Sequence, residues 1–363
     1  MRKRKVNARL FSWLFMNYKD INTYDYNLDE SLIAQVPIKD RDSSKLLVVN
    51  KNNGNLKDEV FHNIVDYFEE GDVLVLNNTK VLQNRLYGFK EDTGAKIEVF
   101  LLKELESDVY ECLIRPQKRV HSGVIIKFDD EFKCEVLEKF DNGITHVKFI
   151  YSGIFLEHLA RVGTMPLPPY IHEKLEENDR YNTVYAKKAG SSAAPTAGLH
   201  FTEELLSKLE SKGVEVLYVC LNVGLGTFRP VSEDDITNHD MHSELYEISE
   251  DVACRLNLAK KEGRRIICVG TTSLRTLESN ISKYGEFKST CEETSIFIYP
   301  PYEFKSCDCL ITNFHLPKST LVMLVSAFSS VDIIMNAYKH AMDNKYRFFS
   351  FGDAMFLTNK EDK

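Results

Sequence analysis

The sequence has no Cys-x-x-Cys pair, although it contains eight cysteines. Disulfide-rich secreted scaffolds and zinc ribbons are therefore not indicated, and a reduced, cytoplasmic location fits best. Cys307 and Cys309 resemble half of a metal clip, but no second pair lies at ligand spacing. We interpret both as core residues and expect no metal site.

Membrane spans and Walker A loops are also missing from the sequence. The apolar run at 321–328 is too short for a span and ends at Ser329, Ser330 and Asp332. No Gly-Lys-Ser/Thr follows the glycine-bearing loops, which excludes a Walker A site. The formal net charge is −8, so a nucleic-acid contact would need a local basic surface. With 363 residues and 43% hydrophobic content, we expect a soluble enzyme with two domains.

Residues 1–15 differ from the rest of the chain. They carry five basic residues and no acidic one. Their apolar stretch is too short for a secretory signal, and no small-residue cleavage site follows it. A basic leader, a basic arm that touches nucleic acid and an upstream start codon remain as interpretations. We favour the last and treat 1–15 as an N-terminal extension, either disordered or a start-site artefact.

The most informative stretch is GSSAAPTAGLHF at 190–201. Its small residues let main-chain N–H groups approach a ligand. Thr202 and the apolar residues after it predict a helix that Gly213 ends. A loop of this kind before a helix N-terminus is a candidate site for an anion, although a tight structural connection is equally consistent with it.

Three later segments repeat one design, a β-branched apolar run followed by a polar or glycine-rich turn. They lie at 214–230, 265–273 and 309–320, and the last two lead into apolar helices. Strands that alternate with helices predict an α/β sheet, whose ligands bind outside the carboxyl ends of the strands. We therefore expect these turns to converge on one site.

Short β-rich pieces with close turn signals occupy the region between 71 and 151. Asn-Gly at 142–143 indicates a hairpin, and the strand spacing predicts a small antiparallel β-barrel. The predicted fold is thus an α/β sheet domain, formed by 16–70 and 152–363, with an inserted β-barrel domain at 71–151.

Several motifs carry a resemblance to a known family. They are YDYNLDESLIAQVP at 24–37, GSSAAPTAGLHF, NVGLGTFRP at 222–230, MHSE at 241–244, VGTTSLRTLE at 269–278, TNFHLPKST at 312–320 and RFFSFGDAM at 347–355. Together they resemble the S-adenosylmethionine:tRNA ribosyltransferase-isomerases of queuosine biosynthesis, over about residues 16–357. Asn222 stands where the family usually has histidine, and 188–189, Ser295 and Pro301 also depart from its pattern.

The resemblance implies transfer of the ribosyl part of S-adenosylmethionine to 7-aminomethyl-7-deazaguanine at the tRNA wobble position. The ribose rearranges to an epoxycyclopentane, which gives epoxyqueuosine and releases adenine and methionine. S-adenosylmethionine is then a consumed co-substrate, and no cofactor is retained. The chemistry needs a base near C5′, whose protons the sulfonium acidifies, and a pocket for an extruded base. We expect a monomer that binds this tRNA and no membrane.

Candidate residues follow from the motif loops. His200 and His315 are alternative candidates for the proton-transfer group, since imidazole titrates near neutral pH. For each of them, a structural role through hydrogen bonds to the backbone is an equally good interpretation. Thr272 is a third catalytic candidate. The N-terminus of the helix at Thr271, Thr272 and Ser273 is a candidate for the methionine carboxylate, with Arg275 or Arg229 as counter-charge. The full set of predicted substrate-binding residues is Thr196, Gly198, Gly224, Gly226, Thr227, Arg229, His242, Thr271, Ser273, Arg275, Asn313 and Arg347.

Two further questions concern RNA and rival functions. Positive charge is concentrated on one loop of the predicted barrel by Arg115, Lys118 and Arg119, which are the preferred RNA contact. The alternative is that they form an ordinary solvent-exposed face. Phe314 and Tyr170 are candidates to stack on an extruded base, although a role in the core is an equally good interpretation of both.

Two other functions remain as alternatives for the whole protein: a methyltransferase and a non-catalytic RNA-binding protein.

Overall fold

The computed structural model describes residues 16–141, 143–224 and 231–360. The predictions that concern residues 1–15, Asn142 and the loop with Gly226, Thr227 and Arg229 lie outside these ranges. All structural statements below refer to the described residues.

The strands and helices are as follows. The strands are β1 (Lys45–Asn50), β2 (Leu56–Val60), β3 (Val73–Asn77), β4 (Thr79–Val81), β5 (Arg85–Lys90), β6 (Lys96–Glu106), β7 (Val109–Arg115), β8 (Ile125–Lys127), β9 (Lys133–Lys139), β10 (Ile144–Ile150), β11 (Gly163–Thr164), β12 (Lys188–Ser191), β13 (Glu215–Leu221), β14 (Glu244–Ile248), β15 (Ile266–Val269), β16 (Thr290–Thr294), β17 (Cys309–Asn313) and β18 (Ala354–Thr358). The α-helices are α1 (Phe155–Val162), α2 (Glu203–Ser211), α3 (Glu250–Glu262), α4 (Gly270–Tyr284), α5 (Thr320–Phe328) and α6 (Val331–Asp343).

A nine-stranded mixed sheet forms the main domain. Its strand order is β16, β14, β13, β3, β15, β17, β18, β1 and β2. The neighbouring strands β13, β3, β15 and β17 are parallel, whereas β18 runs antiparallel to β17. The carboxyl ends of the four parallel strands and the amino end of β18 therefore meet at one edge.

Both faces of this sheet are buried, which explains its continuous apolar strands. Along β3, Val73 and Val75 belong to one core, and Leu74 and Leu76 belong to the other. Helices α3 to α6 contribute to the first core, and α2 contributes to the second. The sequence prediction of an α/β sheet is confirmed.

The inserted domain is a closed antiparallel β-barrel of six strands. Strand β5 pairs with β6 and also with β8, so that β5, β6, β7, β10, β9 and β8 form a ring, to which β11 adds a short edge. Its separate core contains alternate strand residues such as Ile97, Val99 and Leu101. The prediction of a small antiparallel barrel is confirmed.

The predicted barrel segment includes one strand that belongs elsewhere. Val73–Asn77 is β3, in the centre of the main sheet between β13 and β15, so its assignment to the barrel is wrong. The physical reason is its pattern: all five residues are buried, and the first four form a continuous apolar run before Asn77, as expected for a central strand covered on both faces. The barrel strands run from Arg85 to Ile150, with β11 at Gly163–Thr164.

Local sequence signals set the helix boundaries near the sheet edge. Thr202 caps α2, because its Oγ1 accepts a hydrogen bond from the Leu205 N–H at 3.1 Å, and Gly213 follows the helix with φ +87°. Ser319 caps α5 in the same way through the Val322 N–H at 3.3 Å. In the described part of the chain no single helix is long and apolar enough to cross a membrane; only α5 and α6 together, bent by 114°, reach the required length and composition.

Candidate functional site

A cleft lies at the sheet edge where the parallel strands end. The turn after β13 contributes Val223, the N-terminus of α4 contributes Gly270 to Thr272, and the turn after β17 contributes Asn313 to Leu316. Thr196 and Ala197 close one side, and Tyr170 and Ser350 close another. The predicted convergence of the three turns and the GSSAAPTAGLHF loop is therefore present in the fold.

His200 lies behind the wall of this cleft in a chain of hydrogen bonds. Its Nδ1 is 2.7 Å from Ser44 Oγ, and Asn313 Nδ2 donates to its Nε2 at 3.2 Å. Thr196 Oγ1 in turn donates to Asn313 Oδ1 at 3.0 Å. Because both ring nitrogens of His200 are used by protein groups, this side chain fixes the orientation of Asn313 and through it Thr196.

The environment of His200 keeps its ring neutral. The residue is 5% exposed and stacks on Phe61 with ring centroids 4.9 Å apart. Burial, together with the charges of Arg347 and Arg41, lowers the pKa of His200 to about 3. The expectation that this imidazole titrates near neutral pH is therefore not met.

The lowered pKa predicts a pH dependence of stability. Between pH 6.5 and about 3 the unfolded chain binds a proton at this histidine and the folded chain does not, so stability falls as the pH falls through this window. The slope from one such group is at most about 1.4 kcal/mol per pH unit. We expect His200→Asn to show a shallower pH dependence of the unfolding free energy than the wild type, measured by urea titration at several pH values.

A matched control uses His62, which is exposed. His62→Asn should keep the wild-type slope. An unchanged slope in the His200 variant would contradict the buried, neutral state of this ring.

His315 differs from His200 because it lines the cleft. Its Nε2 is 2.7 Å from Thr312 Oγ1, and Nδ1 has no protein partner among the described residues. Its backbone is held by Tyr338, whose hydroxyl accepts from the His315 N–H at 3.0 Å, and by Tyr26, whose hydroxyl donates to the His315 carbonyl. Burial lowers the pKa of His315 to about 3 as well, so the expectation of titration near neutral pH is not met here either. The ring is neutral at pH 7, and one of its nitrogens keeps a lone pair.

The N-terminus of α4 faces the cleft with two threonines. Thr271 and Thr272 line it, and Thr272 Oγ1 is a buried hydroxyl oxygen with no hydrogen-bond partner in the described part of the chain. A polar atom buried in this way is a candidate to contact a ligand. Ser273 is placed differently, since its hydroxyl donates to the Val269 carbonyl at 2.8 Å within the helix.

A buried ion pair lies beside the N-terminus of α4. Arg275 and Glu244 are 4% and 3% exposed, and Arg275 Nη1 donates to Glu244 Oε2. Glu244 Oε1 also accepts from the Gly224 N–H at 3.0 Å and lies 3.1 Å from His242 Nε2. Although burial opposes ionisation, the hydrogen bond from His242 and the charge of Arg275 lower the pKa of Glu244.

This pairing changes the interpretation of Arg275. Its charge is compensated by Glu244, so it does not offer a free counter-charge to a carboxylate. Its Nε and Nη2 groups are nevertheless buried and have no hydrogen-bond partner among the described residues, so both are candidate donors to a ligand.

Two predicted residues have contacts that do not involve the cleft lining. A Cβ on Gly198 would lie 2.0 Å from Tyr185 Oη, so the glycine is required by close packing inside the protein. The Arg347 N–H donates to Asp353 Oδ2 at 2.7 Å, and its Nη2 lies 3.5 Å from Oδ1 of the same carboxylate.

The basic loop of the barrel follows β7. Arg115, Lys118 and Arg119 are exposed, and none of them forms an ion pair with a carboxylate of the described chain. Their charges are therefore available to a ligand. Where the chain is described, no group of three or more His, Cys, Asp or Glu residues is arranged to hold a metal ion.

Several residues of the site were missed in the sequence interpretation. Ser44, which fixes His200, is separated from it by 156 positions, and Glu244 is recognisable in the sequence only as the last residue of the MHSE motif. Neither has a local signal that reveals its partner. Tyr170 was considered for base stacking, and its hydroxyl lies 2.7 Å from Ser350 Oγ at the side of the cleft.

Comparison with known proteins shows which family this chain is similar to. A family model described as queuosine biosynthesis protein matches residues 21–357. A curated S-adenosylmethionine:tRNA ribosyltransferase-isomerase from Staphylococcus haemolyticus (strain JCSC1435) is 53% identical over 339 residues, which cover 93% of this chain and 99% of the relative. The crystal structure of an S-adenosylmethionine tRNA ribosyltransferase from Thermotoga maritima matches with a TM-score of 0.52 at 36% identity, covering 92% of this chain and 99% of that chain. The chain therefore belongs to the queuosine biosynthesis protein family.

Proposed function

We propose that this protein transfers and isomerises the ribosyl moiety of S-adenosylmethionine onto 7-aminomethyl-7-deazaguanine at the wobble position of tRNA. The products are epoxyqueuosine in the tRNA, free adenine and free methionine. The observation that carries the proposal is the 53% identity to a ribosyltransferase-isomerase over 93% of the chain. S-adenosylmethionine is a consumed co-substrate in this reaction, and the enzyme retains no cofactor.

His315 is the proposed general base. The sulfonium acidifies the adjacent C5′ protons, so the reaction begins when a base near C5′ removes one of them. If Nε2–H donates to Thr312 Oγ1, the lone pair of Nδ1 is left for the substrate. His200 is a positioning residue instead, because Ser44 and Asn313 occupy both of its nitrogens.

The N-terminus of α4 is the proposed site for a polar group of S-adenosylmethionine. Thr272 Oγ1 has no partner among the residues that the structure describes, and the first N–H groups of a helix favour an anion such as the methionine carboxylate. Thr196 and Asn313 on the facing wall are held by the His200 hydrogen bonds and supply further polar contacts. Pre-positioned donors of this kind lower the cost of binding.

The proposal for tRNA places the barrel loop on the phosphate backbone. Arg115, Lys118 and Arg119 are exposed and unpaired by described carboxylates, which suits a sequence-independent contact. A monomeric, cytoplasmic enzyme completes the proposal.

The test is adenine release from S-adenosylmethionine in the presence of tRNA. We expect stoichiometric adenine only with tRNA that carries 7-aminomethyl-7-deazaguanine, and none with the same tRNA carrying guanine at that position. Liquid chromatography quantifies adenine against S-adenosylhomocysteine. Formation of S-adenosylhomocysteine without adenine would indicate a methyltransferase, and tRNA binding without either product would indicate a binding protein.

A further inference from the structure

A second, smaller pocket lies next to the cleft, on the other side of Ser350. Ser350 lines both, and His200 reaches the second pocket from behind the cleft wall. Its lining includes Arg41, Arg180 and Phe351 as well as these two residues. It contains two arginines and no acidic residue.

The two arginines connect two loops, because each donates hydrogen bonds to the loop that carries the other. Arg41 donates to the carbonyls of Leu199 at 3.1 Å and Asn182 at 2.9 Å. Arg180 donates in the opposite direction, to the carbonyls of Lys39 at 2.8 Å and Ile38. These acceptors are neutral, so the hydrogen bonds fix the position of both guanidinium groups without compensating their charges.

No ion pair among the described residues neutralises the positive charge of this pocket. Among the described residues neither arginine forms an ion pair with a carboxylate, and Arg180 Nε is a buried donor without an acceptor. Burial, followed by the charge of Arg180, lowers the pKa of Arg41, against weaker opposing effects of Tyr185 and Asp179. Two like charges held together in a partly buried site favour an added anion.

We propose that Arg41 and Arg180 form a subsite for a backbone phosphate of the tRNA, next to the nucleotide whose base enters the cleft. This inference rests on the proposed function. A base extruded into the cleft brings its flanking phosphates to the cleft margin, where this pocket lies. The planar fork of a guanidinium matches the oxygens of a phosphate.

The first arm of the test uses chemically altered RNA with the wild-type enzyme. An anticodon stem-loop that carries 7-aminomethyl-7-deazaguanine is prepared with an uncharged methylphosphonate in place of either phosphate flanking that nucleotide. We expect one of the two replacements to weaken binding by about tenfold, which is typical of losing a charged hydrogen bond. No loss at either position would overturn the proposal.

The second arm uses Arg180→Ala and the salt dependence of binding to the unaltered stem-loop. Because each neutralised phosphate releases counterions, loss of one contact lowers the slope of log affinity against log salt by about 0.7–0.9. We expect this decrease in slope and an unchanged Michaelis constant for S-adenosylmethionine. The variant should also lose no further affinity when the stem-loop carries the methylphosphonate that weakens binding to the wild type. Arg180→Lys retains the charge and should keep most of the slope.

The matched control is Lys339→Ala, which removes one positive charge from an exposed i,i+4 pair with Asp343. It should leave affinity and slope unchanged. If Arg180 has a purely structural role, its replacement should weaken RNA binding but leave the wild-type slope. If the pocket instead binds the carboxylate of S-adenosylmethionine, only the Michaelis constant for S-adenosylmethionine should rise. Either result would overturn the proposal. Failure of the proposed function is seen separately, as absence of adenine release by the wild type.

Discussion

Replacing His315 by alanine is expected to lower the rate of adenine release by about 10²–10⁴-fold, the usual contribution of a positioned general base. The physical reason is that Nδ1 of this ring lines the cleft without a described protein partner, while its pKa of about 3 keeps it neutral at pH 7. Binding of S-adenosylmethionine, measured by calorimetry, should change by less than threefold, because the affected step is proton transfer.

The comparison with His200 makes this test specific. His200→Asn should change the Michaelis constants more than the single-turnover rate, since that ring orients Asn313 and Thr196. His62→Ala, at an exposed position, should match the wild type. If His315→Ala retained a tenth of the rate while His200→Asn abolished it, the two roles would have to be exchanged.

Replacing Glu244 by alanine is expected to destabilise the fold by about 3–5 kcal/mol, because it leaves the buried charge of Arg275 without its partner. The variant also removes the acceptor of the Gly224 N–H and the partner of His242. Denaturant unfolding at pH 7 measures the effect, with the midpoint and the slope reported separately.

A second variant distinguishes the effect of the unpaired buried charge from the effect of lost side-chain packing. The double variant Glu244→Met with Arg275→Met removes both charges and should recover most of the lost stability, because neither charge remains buried alone. Asp343→Ala, which breaks the exposed pair with Lys339, should change stability by at most about 1 kcal/mol. A similar small loss for Glu244→Ala would contradict the view that Arg275 depends on this carboxylate.

Much of the fold was predictable because its signals are local. The caps at Thr202 and Ser319 and the apolar runs of β13, β15 and β17 mark the elements that position the cleft. The turns after parallel strands must meet at one edge, so the convergence of Thr196, Thr271 and Asn313 also followed from sequence. The assignment of Val73–Asn77 failed, because an apolar run alone does not tell which sheet it joins.

The division of roles in the site was not predictable, because it depends on contacts between distant positions. His200 and His315 both follow a motif loop, but only the fold brings Ser44 and Asn313 to the two nitrogens of His200. In the same way, the sequence does not show that the charge of Arg275 is neutralised by Glu244, which lies on β14. Sequence patterns give the elements, whereas protonation and pairing come from tertiary contacts.

The most direct test of the account follows the atoms of S-adenosylmethionine into the tRNA. The enzyme is incubated with two preparations of the co-substrate, one with ¹³C in the ribose and one with ¹³C in the methyl group, and with tRNA bearing 7-aminomethyl-7-deazaguanine. After digestion, mass spectrometry of the nucleosides should find the ribose label in epoxyqueuosine and no methyl label in the tRNA. Methyl label in the tRNA, with the ribose label retained in S-adenosylhomocysteine, would contradict the account.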